Sequence, residues 1–249
     1  MKNFTLECCV DSIESSLAAA QGGATRLELC ADLPLGGTTP GISLFRQLRR
    51  HCSLPVHVLL RPRFGDFCYT AYELDILADD AALFASEGAA AVVIGVLNPD
   101  ATLNLSAMER LIQAAGGAKI TLHRAFDLCR DPMATLEQAI ALGVHTILTS
   151  GQQASAPAGA ALLRQLHQAA QGRIEIMGGA GVSAANIAQL HQAAGLSAYH
   201  MTGKQILPSP MSYRRQGVPM GLPGMSEFDL WRTDPAQVAA VRAFLEQAD

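Results

Sequence analysis

The sequence predicts a closed (β/α)8 TIM barrel, and three observations carry that prediction. Eight short runs rich in branched apolar residues alternate with eight segments of helical character. Glycine marks the passage from helix to strand at Gly23-Ala24, Gly88-Ala89, Gly117-Ala118, Gly143-Val144 and Gly195-Leu196, where it can take the left-handed conformation that stops a helix. Most of these junctions recur about every 25–30 residues, the length of one strand–helix unit. A chain of 249 residues suits one such barrel, so residues 1–249 read as a single domain.

The strands fall at 5–9, 26–30, 56–61, 91–95, 120–123, 146–149, 174–177 and 199–202. The helices that follow them start near Ser12, Ile42, Tyr72, Ser106, Pro132, Pro157, Ser183 and Pro235. Pro132 and Pro235 suit the first helical position, and Asp131 and Asp234 suit the caps before them. Residues 203–233 fit least well, with Pro208, Pro210, Pro219 and Pro223 and with Gly217, Gly221 and Gly224 between them. They read as a long irregular segment after the eighth strand. Because it leaves from the C-terminal end of that strand, the segment can cover the barrel mouth or reach a neighbouring subunit. Met220, Leu222, Met225, Phe228 and Trp231 give it apolar surface to bury. The last helix covers 234–248.

Composition excludes several functions. The formal net charge is −4 and no basic stripe occurs, which argues against nucleic acid as a partner. No apolar run is long enough to span a bilayer, and the start lacks the charged-then-apolar pattern of a signal peptide. The six cysteines form no CxxC pair, which suggests reduced thiols in a cytoplasm. Cys8 and Cys9 are adjacent in a strand and so point to opposite faces.

The stretch Ile120-Thr-Leu-His-Arg-Ala-Phe-Asp127 is a buried strand that ends in a base, a cation and a carboxylate: His123, Arg124 and Asp127. Polar groups at the C-terminal tip of a barrel strand face the binding mouth. The alternative is that Arg124 and Asp127 pair with each other and only fix the loop. Strand alternation puts Glu7 with Cys9, Glu28 with Cys30, and His57 with Arg61. Glu7 and Glu28 are expected to point inward, since an outward carboxylate would be pressed under apolar helices. Arg61 is the expected partner of one of them. His200 and Thr202 share a face in the eighth strand, with Lys204 just beyond. Strand seven ends in Gly178-Gly179-Ala180-Gly181, leading to Ser183. Gly178, Gly179 and Gly181 can present N–H groups to an anion, and Ser150 after strand six can add donors. One reading is an enzyme on a small anionic or phosphorylated substrate with Glu7, Glu28, Arg61, His123, Arg124 and Asp127 as its catalytic set: His123 moves a proton, Glu7 or Glu28 acts as a second acid or base, and Arg61 and Arg124 clamp the anion. A salt-bridged plug without chemistry, and a scaffold acting through residues 203–233, are the others. For a metal, Cys9, Cys30, His123, His200, Met177 and Met201 are the candidates, and any site must be assembled through space.

These residues resemble the CutC family of copper homeostasis proteins. The matching stretches are Leu6-Glu7-Cys8, Arg26-Leu27-Glu28-Leu29-Cys30, Leu35-Gly36-Gly37-Thr38-Thr39-Pro40, Arg61-Pro62-Arg63, Leu122-His123-Arg124-Ala125-Phe126-Asp127, Thr149-Ser150-Gly151 and Met177-Gly178-Gly179-Ala180-Gly181. Where the family often reads Pro-Gly-Gly-Gly after strand seven, this chain reads Met-Gly-Gly-Ala-Gly, which leaves the turn intact. The resemblance implies a cytoplasmic TIM barrel linked to copper tolerance that forms homo-oligomers, with a dimer favoured. It implies copper as the cofactor, as Cu(I), and nominates Cys9 and Cys30 as ligands. Cys8, Cys52 and Cys129 stay open as further candidates.

Overall fold

The computed structural model describes residues 4–248 except 216, 219, 222 and 223. Pro219, Leu222 and Pro223, cited above for the segment after the eighth strand, lie outside the described residues. Eight parallel strands close into a ring: β1 Thr5–Val10, β2 Arg26–Leu29, β3 Val56–Leu59, β4 Ala91–Ile94, β5 Lys119–Leu122, β6 Thr146–Thr149, β7 Glu175–Gly178 and β8 Ala198–Met201. β8 pairs back onto β1, with Glu7 opposite His200.

The helices between them are α1 Ile13–Gln21, α2 Ile42–His51, α3 Ala71–Ser86, α4 Leu105–Ala114, α5 Pro132–Ala141, α6 Ala160–Ala170 and α7 Ile187–Ala194, and α8 Pro235–Gln247 follows the arm after β8. Asp131 and Asp234 cap α5 and α8 as expected, Asp131 accepting the N–H groups of Met133 and Ala134 and Asp234 that of Ala236. α3 starts with a full capping box, in which Thr70 and Glu73 each bond the other's backbone N–H.

Outward strand residues such as Leu6, Leu27, Val58, Val92, Ile120, Ile147, Ile176 and Tyr199 form the main core with the inward faces of the helices. Burying this apolar surface is the main source of stability. The lumen differs. Its apolar content is split into two small groups, one of Cys9, Cys30, Leu59 and Val93 and one of Leu148, Met177 and Ala198. Cys8 lies in the outer core and Cys9 in the inner group, so the two do face opposite ways.

Three expectations need correction. α7 starts at Ile187, not near Ser183. The Asn186 side chain accepts from Ser183 N–H and donates to Gly181 O, which holds a turn there in place of a first helical turn. α6 likewise starts at Ala160 and not near Pro157. Residues 203–233 are not wholly irregular: β9 Lys204–Pro208 and β10 Asp229–Thr233 pair as an antiparallel ribbon. Lys204 Nζ sits 4.1 Å from the Trp231 ring centroid across it, a cation–π contact that ties the strands. The base of the ribbon is anchored to the barrel, where Thr233 N–H donates to Ser15 Oγ.

Candidate functional site

Glu7 is fully buried in the lumen and its carboxylate is held from two sides. Arg26 Nε–H donates to Oε2 at 2.5 Å, and His200 Nδ1–H donates to Oε1 at 2.7 Å. Burial alone would raise the Glu7 pKa, but Arg26 and then His200 outweigh it and hold the carboxyl well below the usual range. Arg26 reaches on to Glu175 Oε2 at 3.2 Å and to Met177 Sδ at 3.1 Å. His57 Nδ1 lies 3.4 Å from Glu7 but is misaligned for a hydrogen bond. Burial pushes its pKa down to about 4, so this ring is neutral.

Above this ion pair lies the second tier. Cys9 and Cys30 are free thiols whose Sγ atoms are 3.4 Å apart. The hydrogen bond between them, burial and the nearby Glu28 hold the Cys9 thiol well above its ordinary pKa. Glu28 is raised as well, by burial and by the charge of Glu7, against the pull of His200. Burial opposes protonation of His200, but Glu28 and the bond to Glu7 prevail and raise its pKa. Cys9 Sγ, a Glu28 oxygen and a His200 nitrogen all lie within 4.8 Å of one another, a spacing that a metal ion could bridge. Glu7 on Nδ1 leaves Nε2 of His200 facing Glu28, which is the orientation a carboxylate-supported histidine ligand takes.

A cavity of about 240 Å³ opens over this tier, lined by Cys9, Glu28, Arg61, His123, Arg124, His200 and the turn 180–182. His123 Nδ1 accepts the N–H of Ala125 at 3.1 Å. In a neutral imidazole the proton then sits on Nε2. Burial and the Arg61 charge push the ring's pKa down to about 3, so it is neutral. His123 therefore carries a buried Nε2–H donor that meets no acceptor among the described residues, and it is not a base. Gly95 makes room for this ring: a Cβ there would stand 2.6 Å from His123 Cε1 and Nδ1. Phe67 packs on the same ring at 4.7 Å between centroids.

The nominated residues thus divide. Glu28, Arg61, His123 and Arg124 share the mouth cavity, while Glu7 lies beneath it in the ion-paired tier. Arg61 is not the partner of either carboxylate. It donates to the carbonyls of Gly37 at 3.2 Å and Gly65 at 2.6 Å, and so ties two loops together. Arg26, which was overlooked, is the partner of Glu7. Parity alone puts it on the face of Glu28, two residues on, and the register that sets it opposite Glu7 shows only in the structure. Asp127, nominated with the catalytic set, has both carboxylate oxygens engaged by its neighbours. Its carboxylate accepts from Arg124 Nε, Thr149 Oγ1 and the N–H groups of Ser150 and Gln152. That is the loop-fixing role weighed as the alternative. Ser150 has its N–H and hydroxyl committed there too, so it is not a free anion donor. Gly178 faces outward, since its Cβ would meet Leu196 and Leu163. Gly179 faces inward, close to Leu148 and His200. Only Gly181 of the three lines the cavity. Among the described residues, the N–H groups of Ala180, Gly181 and Val182 meet no protein acceptor.

The sequence profile of the CutC family matches residues 4–205. The chain belongs to the CutC family. A family protein CutC of Pasteurella multocida is 45% identical over 242 residues, covering 97% of this chain and 99% of the relative. A second, from Chromobacterium violaceum, is 43% identical and covers 98% of each. The crystal structure of CutC from Streptococcus agalactiae, whose description assigns it to copper homeostasis only provisionally, superposes with a TM-score of 0.77 at 30% identity. That match covers 80% of this chain and 98% of the neighbour. Phosphoribosylanthranilate isomerase from Thermotoga maritima has a TM-score of 0.58 at 11% identity, a likeness of fold alone. The family profile ends inside β9, so the rest of the ribbon and α8 lie beyond it. Among the described residues no helix is long and apolar enough to cross a membrane.

Proposed function

We propose that this CutC family member serves copper homeostasis by holding Cu(I) between Cys9 and Cys30, with His200 as a third donor. One observation above all supports this reading: two reduced thiols from adjacent strands approach to 3.4 Å inside the barrel. Thiolates are soft donors that select Cu(I), whereas a carboxylate such as Glu28 suits harder ions. The Glu7 bond to His200 supports the third donor by fixing which ring nitrogen is left for a metal. The description of the Streptococcus agalactiae neighbour points the same way. A Cu(I)–thiolate site needs reduced cysteines, so the compartment we propose is the cytoplasm.

The test is titration of reduced protein with Cu(I) against a chromogenic chelator, using wild type and the Cys9→Ser/Cys30→Ser variant. Wild type should take up a single equivalent, and the double variant should lose it. Equal uptake by both would remove these thiols from the site.

A homodimer formed through the arm after β8 is the assembly we propose. Met220 is 81% exposed and Ile206 57%, an amount of bare apolar surface that a second copy would cover. Light scattering on Ile206→Asp/Met220→Asp should give the monomer mass while wild type gives twice that. An unchanged mass would place the interface elsewhere.

A further inference from the structure

Among the described residues, three buried polar atoms without a partner belong to residues that line the mouth cavity: Glu28 Oε1, Arg61 Nε and His123 Nε2. They come from the second, third and fifth strands or their ends, so no local turn explains their coincidence. Leaving a buried polar group unmade costs about 1–3 kcal/mol, and more for a charged one, so such atoms call for an account. All three residues are at least nine-tenths buried.

Their chemistry is specific. Arg61 Nε–H and His123 Nε2–H are donors, and Nδ1 of His123 is already taken by Ala125. Arg124 adds a cation at the rim, where Nε and Nη2 bond Asp127 and Ser150 and Nη1 meets no acceptor among the described residues. Ala180, Gly181 and Val182, whose N–H groups meet no protein acceptor among the described residues, line the same cavity. Donors and positive charge on this scale suit an oxyanion. Glu28 Oε1, on β2 and three strands round the ring from His123, is a poor neighbour for an oxyanion but a good acceptor for a hydroxyl. The cavity of about 240 Å³ is smaller than the roughly 300–1,000 Å³ of drug-sized pockets, so the ligand is compact.

We propose that the mouth binds a small hydroxy acid. Its oxyanion is held by His123, Arg61 and Arg124, and its hydroxyl donates to Glu28 Oε1. The inference goes beyond the copper reading and uses none of its thiols, so the two can fail separately.

The experiment is calorimetry with L-lactate and D-glycerate as probes. Propionate, which lacks the hydroxyl, and lactamide, which lacks the charge, are the comparisons. At least one hydroxy acid should bind, and at least about tenfold more tightly than either comparison compound, since each change strands a buried polar group. His123→Asn keeps an acceptor for the Ala125 N–H but withdraws the donor from the cavity. It should weaken binding by about tenfold or more. Arg124→Gln should do the same at the rim, and Arg110→Gln, whose guanidinium pairs with Asp75 on the outer helices, should leave the affinity unchanged. No heat from either hydroxy acid, equal affinity for propionate, or wild-type affinity in His123→Asn would each overturn the proposal. So would a lactate-soaked crystal in which water alone meets the three atoms.

Discussion

Glu7 accepts a hydrogen bond from Nδ1 of His200 at 2.7 Å, so the first barrel strand decides which nitrogen of the eighth faces Glu28. The contact exists only because β8 closes onto β1 with these two residues in register. If His200 is a metal donor, its orientation depends on this bond. Glu7→Gln should then lower Cu(I) affinity by about 10–100-fold with both thiols intact, read by chelator competition at fixed pH. An unchanged affinity would show that His200 takes no part.

The same carboxylate is the buried half of an ion pair with Arg26. Removing one partner strands a charge, whereas replacing both does not. Arg26→Met should cost about 3–5 kcal/mol in urea unfolding. Arg26→Met/Glu7→Leu should recover most of that loss. If the double variant were as unstable as the single one, the tier would be held by something other than mutual neutralisation.

The neutral rings of His123 and His57 make the fold sensitive to acid. Their folded pKa values, about 3 and about 4, lie below the ordinary value of 6.5. A depressed folded pKa contributes stability that is fully present above the unfolded value and fades as pH falls through the folded one. Wild type should therefore lose urea resistance steadily from pH 6.5 down to about 3. His123→Asn keeps the cap on Ala125 but has no ring to protonate, so its pH slope over that window should be shallower. A parallel slope would mean that His123 does not carry the acid response.

The barrel was readable because its signals are local. Branched apolar alternation, Asp131-Pro132 and Asp234-Pro235 caps, and glycine stops all act within a few residues. Strand parity also placed Glu28 and Cys9 on the lumen side. Partners across the barrel were not readable, because they depend on register. The chain does not state that Glu7 stands opposite Arg26 and His200 at once, and Arg61 was the more conspicuous cation. The ribbon of β9 and β10 was missed for another reason. Its strands are separated by 20 residues, and β9 ends in Pro208 with mostly exposed side chains, so neither strand shows the one-sided burial that betrays a sheet. The α7 start was misplaced because Asn186 uses its side chain to build a turn where Ser183 looked like a cap.

Asp127 illustrates how a residue that reads as catalytic can be structural, and its substitution should show it. The carboxylate, 6% exposed, receives N–H groups of Ser150 and Gln152, the Thr149 hydroxyl at 2.5 Å and the Arg124 guanidinium. It joins the short 3-10 helix Arg124–Leu128 to the end of β6. Asp127→Asn is nearly isosteric, but its amide group would turn hydrogens toward donors. It should therefore cost about 2–3 kcal/mol, close to the cost of Asp127→Ala, since charged hydrogen bonds in a buried place are worth about that much. Amide exchange should localise the damage, with Ser150 and Gln152 N–H losing protection before the core strands do. Wild-type stability together with wild-type protection at both amides would mean that the loop is held without this carboxylate, and would return Asp127 to the list of groups available for chemistry.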